Sequence, residues 1–142
     1  MIKQILQFIQ NHWMLCSAGG VVLALLIFEE IKGKLTGTPK ISAQNAALML
    51  NRENTLVIDL RNQKAFTSGH ILGSMNIARA DIDSSIKKLE VHKNKTLILV
   101  DDNDTVATSI VTKLQAQGFA KIYILADGLS SWKNAQLPLN KL

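Results

Sequence analysis

The residues with the most chemical potential in this chain stand in one loop. The apolar run Thr96–Val100 (TLILV) is followed by Asp101, Asp102, Asn103, Asp104, Thr105 and Val106. Three carboxylates within four residues at the end of a strand allow three outcomes. They could ligate a weakly held cation. The spacing Asp102-x-Asp104-x-Val106 could serve metal-assisted phosphoryl transfer to a carboxylate nucleophile. Or Asp102 or Asp104 could cap the following helix and meet its N-terminal dipole, which stabilises a helix by about 0.5–2 kcal/mol. A second group lies earlier. Asp59 and Arg61 end the run Thr55–Leu60 (TLVIDL), two residues apart, and suit a carboxylate–guanidinium pair bracing a sheet end. His70 sits between Gly69 and Ile71, with His12 and His92 far away in sequence and no cysteine near it. No metal site is expected there, and His70 reads as a structural residue that holds its loop by ring hydrogen bonds.

Composition removes several function classes. The chain has one cysteine, Cys16, so an internal disulfide, a CxxC redox pair and a cysteine-based zinc site are excluded. From Arg52 to Lys141 there are 12 Lys+Arg against 9 Asp+Glu, dispersed along the sequence and not interleaved with aromatics. That pattern describes a solvated surface, and no nucleic-acid partner is expected.

The elements that must position these residues follow from periodicity. Ser42 is placed to cap a helix running to Arg52, with Ala46, Ala47 and Leu50 at helical spacing. Thr55–Leu60 and Thr96–Val100 are buried-strand candidates, the second the more apolar and so central. Lys64–Ser68 is a helical turn ended by Gly69, and Ser74–Ile77 a short strand. Asp81–Leu89 is expected as a helix capped by Asp81 or Asp83, and Thr105–Gln117 as an amphipathic helix closed by Gly118. Lys121–Leu125 is another strand, and Gly128–Ala135 the last helix, before Pro138. Alternating strands and helices imply a three-layer α/β domain with a mainly parallel central sheet. Gly73 and Gly128 are expected where φ is positive or packing is close, and Phe119 and Trp132 in the core.

Three stretches carry a family resemblance. Val57-Ile58-Asp59-Leu60-Arg61 is followed by Phe66-x-x-Gly69-His70-Ile71-x-Gly73-Ser74-x-Asn76-Ile77. Gly118-Phe119 precedes Ile122–Leu125, and Asp127-Gly128-Leu129-x-x-Trp132 precedes Leu137-Pro138. Together, from about Ile41 to Leu139, they resemble the rhodanese domain. The resemblance implies a cysteine directly after the central strand, in a cradle of backbone N–H groups that stabilises a thiolate or persulfide. Asp101 stands in that place, and Asp104 and Val106 replace the Gly and the Arg or Ser that commonly finish the loop. An aspartate cannot carry sulfane sulfur. The crowded carboxylates should repel anionic sulfur donors and raise the pKa of any thiol put among them. The loop also resembles that of haloacid-dehalogenase-type phosphatases, but those need a downstream Lys and a second acidic cluster. Only 36 residues follow Val106, with Asp127 their sole acid.

The first forty residues have a different character. From Gln4 to Phe28 no side chain carries a formal charge except the titratable His12. Trp13–Phe28 is the densest part, and extension back to Ile5 would complete a membrane-spanning length. A cleaved signal peptide would need a small-x-small site after the apolar run, where Phe28-Glu29-Glu30-Ile31-Lys32 stands instead. A buried helix would need a polar face, which Val21–Phe28 lacks. The expectation is a single-pass anchor over residues 1–32, a linker over 33–40 and a domain over 41–142. Lys32, Lys34, Lys40 and Arg52 follow the span against Lys3 before it, which places the domain on the cytoplasmic side of a bacterial inner membrane. The lipid bilayer is then one partner and a protein, of unspecified identity, another. The expected function is a catalytically silent binding or scaffolding module, without cofactor, with a sulfur-relay component as the alternative.

Overall fold

The computed structural model describes residues 1–52 and 54–142, without the side chains at 5–7, 9 and 29–36, among which fall the flanking charges Glu29, Glu30, Lys32 and Lys34. The chain forms two compact units, Met1–Gly37 and Thr38–Leu142.

The first unit holds α1 (Ile2–Asn11) and α2 (Trp13–Thr36). One continuous helix from Ile5 was expected; instead the backbone leaves helical geometry at His12, whose φ of −127° and ψ of 38° separate the two. The linker expected from Gly33 is helical as far as Thr36. Lys and Leu in this stretch are good helix formers, and one glycine costs only about 1 kcal/mol. Among the described residues, no helix is long and apolar enough to cross a membrane.

The second unit begins with β1 (Lys40–Ile41) and α3 (Ala43–Leu50), whose cap Ser42 accepts from Asn45 N–H. β2 (Thr55–Asp59), α4 (Gln63–Ser68), β3 (His70–Ile71) and β4 (Met75–Asn76) follow. Then come α5 (Ile82–Leu89), β5 (Thr96–Val100), α6 (Asp104–Ala116), β6 (Ile122–Leu125), α7 (Gly128–Asn134) and β7 (Leu139–Asn140). Five strands form a parallel sheet in the order β1-β6-β5-β2-β4, with β5 at its centre. β3 and β7 make a separate antiparallel pair.

Alternation along the strands divides the core into two layers. Leu97 and Leu99 of β5 join Ile58 of β2, Ile110 and Leu114 of α6, and Ile82 and Leu89 of α5 on one face. Ile98 and Val100 join Val57, Ala43 and Ala46 of α3, and Leu129 and Trp132 of α7 on the other. A strand buried on both faces must be apolar at every position, which is why TLILV shows no alternation. Asp81 occupies the cap position of α5 without a side-chain hydrogen bond, because a 3₁₀ turn over Arg79–Asp81 leads into that helix. Phe119 is buried, and the Trp132 indole N–H donates to the Pro138 carbonyl at 3.0 Å.

Candidate functional site

The parallel strands deliver the chemically interesting residues to one edge of the sheet, the C-terminal ends of β2 and β5. Asp59 and Val100, the last residues of those strands, are register partners. The turns leaving them carry Arg61 and Asp101.

Asp59 is buried, and so is Arg61. Arg61 Nε donates to Asp59 Oδ1 at 2.9 Å, Nη2 to Oδ2 at 2.6 Å, and the Arg61 backbone N–H to Oδ1 at 3.0 Å. Nη2 also donates to the Gly69 carbonyl at 2.8 Å, tying the end of α4 to the sheet. Asn76 Nδ2 closes the group by donating to the carbonyls of Asp59 and Arg61 at 3.1 and 2.8 Å. Burial works against the Arg61 charge. The hydrogen bond and charge of Asp59, with Asp102 and Asp101 behind them, outweigh it and raise the guanidinium pKa above its ordinary value. His70 is also buried: its Nδ1–H donates to the Phe66 carbonyl at 2.9 Å and its ring stacks on Phe66 at 4.0 Å between centroids. Gly69 ends α4 in extended backbone, and Gly73 has a φ of 77°.

The acidic loop is arranged differently from its sequence expectation. Its carboxylates do not crowd together. The Asp101 side chain is fully buried and points to Arg79, whose Nε donates to Oδ2 at 2.7 Å and whose Nη2 binds Oδ1. The Asp102 backbone N–H donates to Asp101 Oδ1 at 2.7 Å. Asp104 turns outward to Lys40 Nζ at 2.6 Å, leaving Asp102 to line the adjoining cavity. The cap of α6 is neither Asp102 nor Asp104. Asn103 Oδ1 accepts from Thr105 N–H at 3.0 Å and Val106 N–H at 3.2 Å. Thr105 is exposed, and Val106 packs against the core. Among the described residues, no group of three His, Cys, Asp or Glu could hold a metal ion.

Arg79 is the residue that sequence reasoning missed. The Asp101 hydrogen bond, against a smaller burial cost, raises its pKa above the ordinary value. Both guanidiniums therefore keep their charge, and the stability they contribute is lost only as pH rises through those raised values. The available signal was indirect: a carboxylate directly after a fully apolar strand is buried and needs a cation. Arg79 lies 22 residues away in sequence, and only the parallel β2–β5 pairing brings its turn to Asp101.

Arg61, Arg79, Leu60, Asn62, Ala78 and Asp102 are among the residues lining a cavity of about 290 Å³ beside the pair. Two of its lining residues, Arg61 and Arg79, are held in ion pairs with Asp59 and Asp101. No thiol lies in this unit, since the one cysteine is Cys16.

Gly128 packs α7 under the loop. Its φ is 55°, and a Cβ there would overlap the Asp101 carbonyl oxygen. Because that neighbour is backbone, it cannot swing away. Gly128→Ala is expected to lower the unfolding free energy by at least about 2 kcal/mol. Urea unfolding checks this; a change within about 0.5 kcal/mol would mean that the loop yields freely.

The profile of the rhodanese-like domain matches residues 42–135. The uncharacterised protein YibN of Escherichia coli (strain K12) is 30% identical over 139 residues, covering 97% of this chain and 97% of YibN. The thiosulfate sulfurtransferase GlpE of Pseudomonas entomophila is 25% identical over 88 residues, covering 62% of this chain and 79% of that protein. Among solved structures, the Alr3790 protein of Anabaena superposes with a TM-score of 0.63 at 24% identity, over 70% of this chain and 80% of that one.

Proposed function

This chain belongs to the rhodanese-like domain family, and from that premise we propose that it is a catalytically silent, membrane-anchored member serving as a binding or scaffolding module. The observation that carries this reading is the Asp101–Arg79 pair. By the family resemblance, position 101 is that of the sulfur-carrying cysteine. Sulfur transfer needs a polarisable nucleophile that can form an S–S bond, and a carboxylate cannot. Here its two oxygens are also taken by Arg79 and by the Asp102 N–H. The N–H groups of Thr105 and Val106, which would otherwise face an anion at the helix start, are taken by Asn103.

The purified chain is expected to form no thiocyanate from thiosulfate and cyanide above buffer. Turnover proportional to protein concentration, surviving Cys16→Ser, would overturn the silent-site reading. The relation to a thiosulfate sulfurtransferase favours one second reading, a sulfur-relay component. The two separate on whether the purified chain ever carries cyanolysable sulfur, which a relay component would and a silent module would not.

Support for the anchor comes from the first unit. The uncharged part of α2, residues 13–28, is about 24 Å at ~1.5 Å per residue against a hydrocarbon core of ~30 Å, and residues of α1 would have to supply the remaining length. Its apolar side chains from Leu15 to Ile27 are exposed, including Val21, Leu23, Leu25 and Leu26. A run of that kind open to water is a liability that lipid would relieve. The excess of basic residues after the run supports an inner-membrane position with the domain in the cytoplasm. Its protein partner is defined only as what this domain recognises.

A further inference from the structure

The cations that look dispersed in the sequence are partly gathered by the fold. The C-terminal edge of the sheet carries Asp101, Asp102, Asp104 and Asp127 together with Arg61, Arg79 and the Lys40 ammonium. The N-terminal edge gathers Arg52, from the turn before β2, Lys87 and Lys88 at the end of α5, Lys93 and Lys95 before β5, and Lys121 before β6. The backbone ties these turns together: Thr96 N–H donates to the Asn54 carbonyl at 2.8 Å and Leu97 N–H to the Lys121 carbonyl at 2.8 Å. Of these six cations Lys93 is engaged, its Nζ 3.7 Å from Glu90 and 5.9 Å from the Phe119 ring centroid; Glu53, next to Arg52 in sequence, lies outside the described residues. Within the basic segment, Val91 is 79% exposed on the 3₁₀ turn Glu90–His92.

The same edge is where the chain arrives from the first unit. All five strands run parallel, so β1 is entered at its N-terminal end. Lys40 is in register with Ile124, and Ile124 N–H donates to the Pro39 carbonyl at 3.1 Å. That register puts Thr38 level with Ile122, the first residue of β6, next to Lys121. The connection between Thr36 and Lys40 is only Gly37, Thr38 and Pro39. A tether this short keeps the edge to which it is joined at high effective concentration near whatever holds the tether.

We infer that the basic N-terminal edge of the sheet is a docking surface for anionic lipid headgroups. Resting on the anchor reading above, it would seat Val91 in the interface. The chemistry is that of a polybasic juxtamembrane segment, in which lysines gain from a negative surface within a Debye length of ~8 Å. An exposed apolar side chain in a lysine-rich segment suits a headgroup region better than a nucleic acid, which would ask for aromatics or an ordered groove.

The test uses the full chain reconstituted in vesicles of phosphatidylcholine alone, and in vesicles with roughly one-third phosphatidylglycerol. Acylation rates of individual lysines by an amine-reactive ester are read by peptide mass spectrometry. Lys88 and Lys121 are the reporters, and exposed Lys64, on α4 at the other edge, is the internal reference. Relative to Lys64, both reporters should slow by about fivefold in the anionic vesicles only, and recover in high salt. Lys87→Glu/Lys95→Glu should abolish the slowing at Lys121. Equal relative rates in both vesicle types would overturn the proposal. So would slowing that ignores lipid charge, which would point to a contact between copies of the chain. Carbonate extraction of the same vesicles tests the anchor separately. A chain that is released but still slowed by anionic lipid keeps the basic edge and loses the anchor; a retained chain without slowing does the reverse.

Discussion

Arg61→Ala is expected to cost the domain about 3–5 kcal/mol of unfolding free energy. Asp59 would remain buried with only the Arg61 backbone N–H as a close donor, and the Gly69 carbonyl would lose its guanidinium partner. Removing one member of a buried pair costs more than the pair contributes, because the stranded charge keeps its desolvation penalty. Arg61→Lys should recover little, since an ammonium cannot make the forked contact to Asp59 and reach Gly69 as well. Asp59→Asn combined with Arg61→Ala should be milder than Arg61→Ala alone. Urea unfolding of a chain beginning at Thr38 measures all three. A loss within about 0.5 kcal/mol for Arg61→Ala, as for an ordinary surface substitution, would remove Arg61 from the brace.

Asp101→Cys should produce an activated thiol that nonetheless transfers almost no sulfur. The loop composition alone argued for a sluggish thiol, with carboxylates raising its pKa. The fold reverses that part of the argument. Asp104 is engaged by Lys40, and position 101 faces the Arg79 guanidinium and the Asp102 N–H. A cation and a donor at an anion's position lower a thiol pKa. Because position 101 is buried, the readout is the thiolate itself: the thiol pKa, followed by ultraviolet absorbance, should rise when Arg79→Ala is added. Sulfur transfer from thiosulfate should stay at background, because Asn103 occupies the Thr105 and Val106 N–H groups that a persulfide anion would need. Adding Asn103→Gly should raise that activity by freeing them. A thiol pKa that does not move when Arg79→Ala is added would refute the role given to Arg79. Brisk thiosulfate turnover in it would refute the blocked cradle.

The sequence by itself determined the parts of this protein that local spacing encodes. TLILV had to be a doubly buried strand, because no polar face exists for it to expose. Ser42 capped its helix, and Gly69 ended α4. Asp59 and Arg61, two residues apart at a strand end, were near enough for their pairing to be legible before any fold was known. The α/β alternation gave the parallel sheet through the same short-range patterns. The tertiary structure decided everything that depends on which strand ends meet. β1, β3 and β7 are two residues each, too short for any period to appear. Asn103 was chosen over its acidic neighbours as the α6 cap because Asp101 is drawn inward to Arg79 and Asp104 outward to Lys40. Those partners lie 22 and 64 residues away in sequence. Periodicity is set by backbone geometry over a few residues, whereas a buried charge is set by whichever cation the crossovers deliver to it. A loop that looks like an acidic cluster in the sequence is therefore, in the folded chain, two ion pairs facing opposite ways with Asp102 between them.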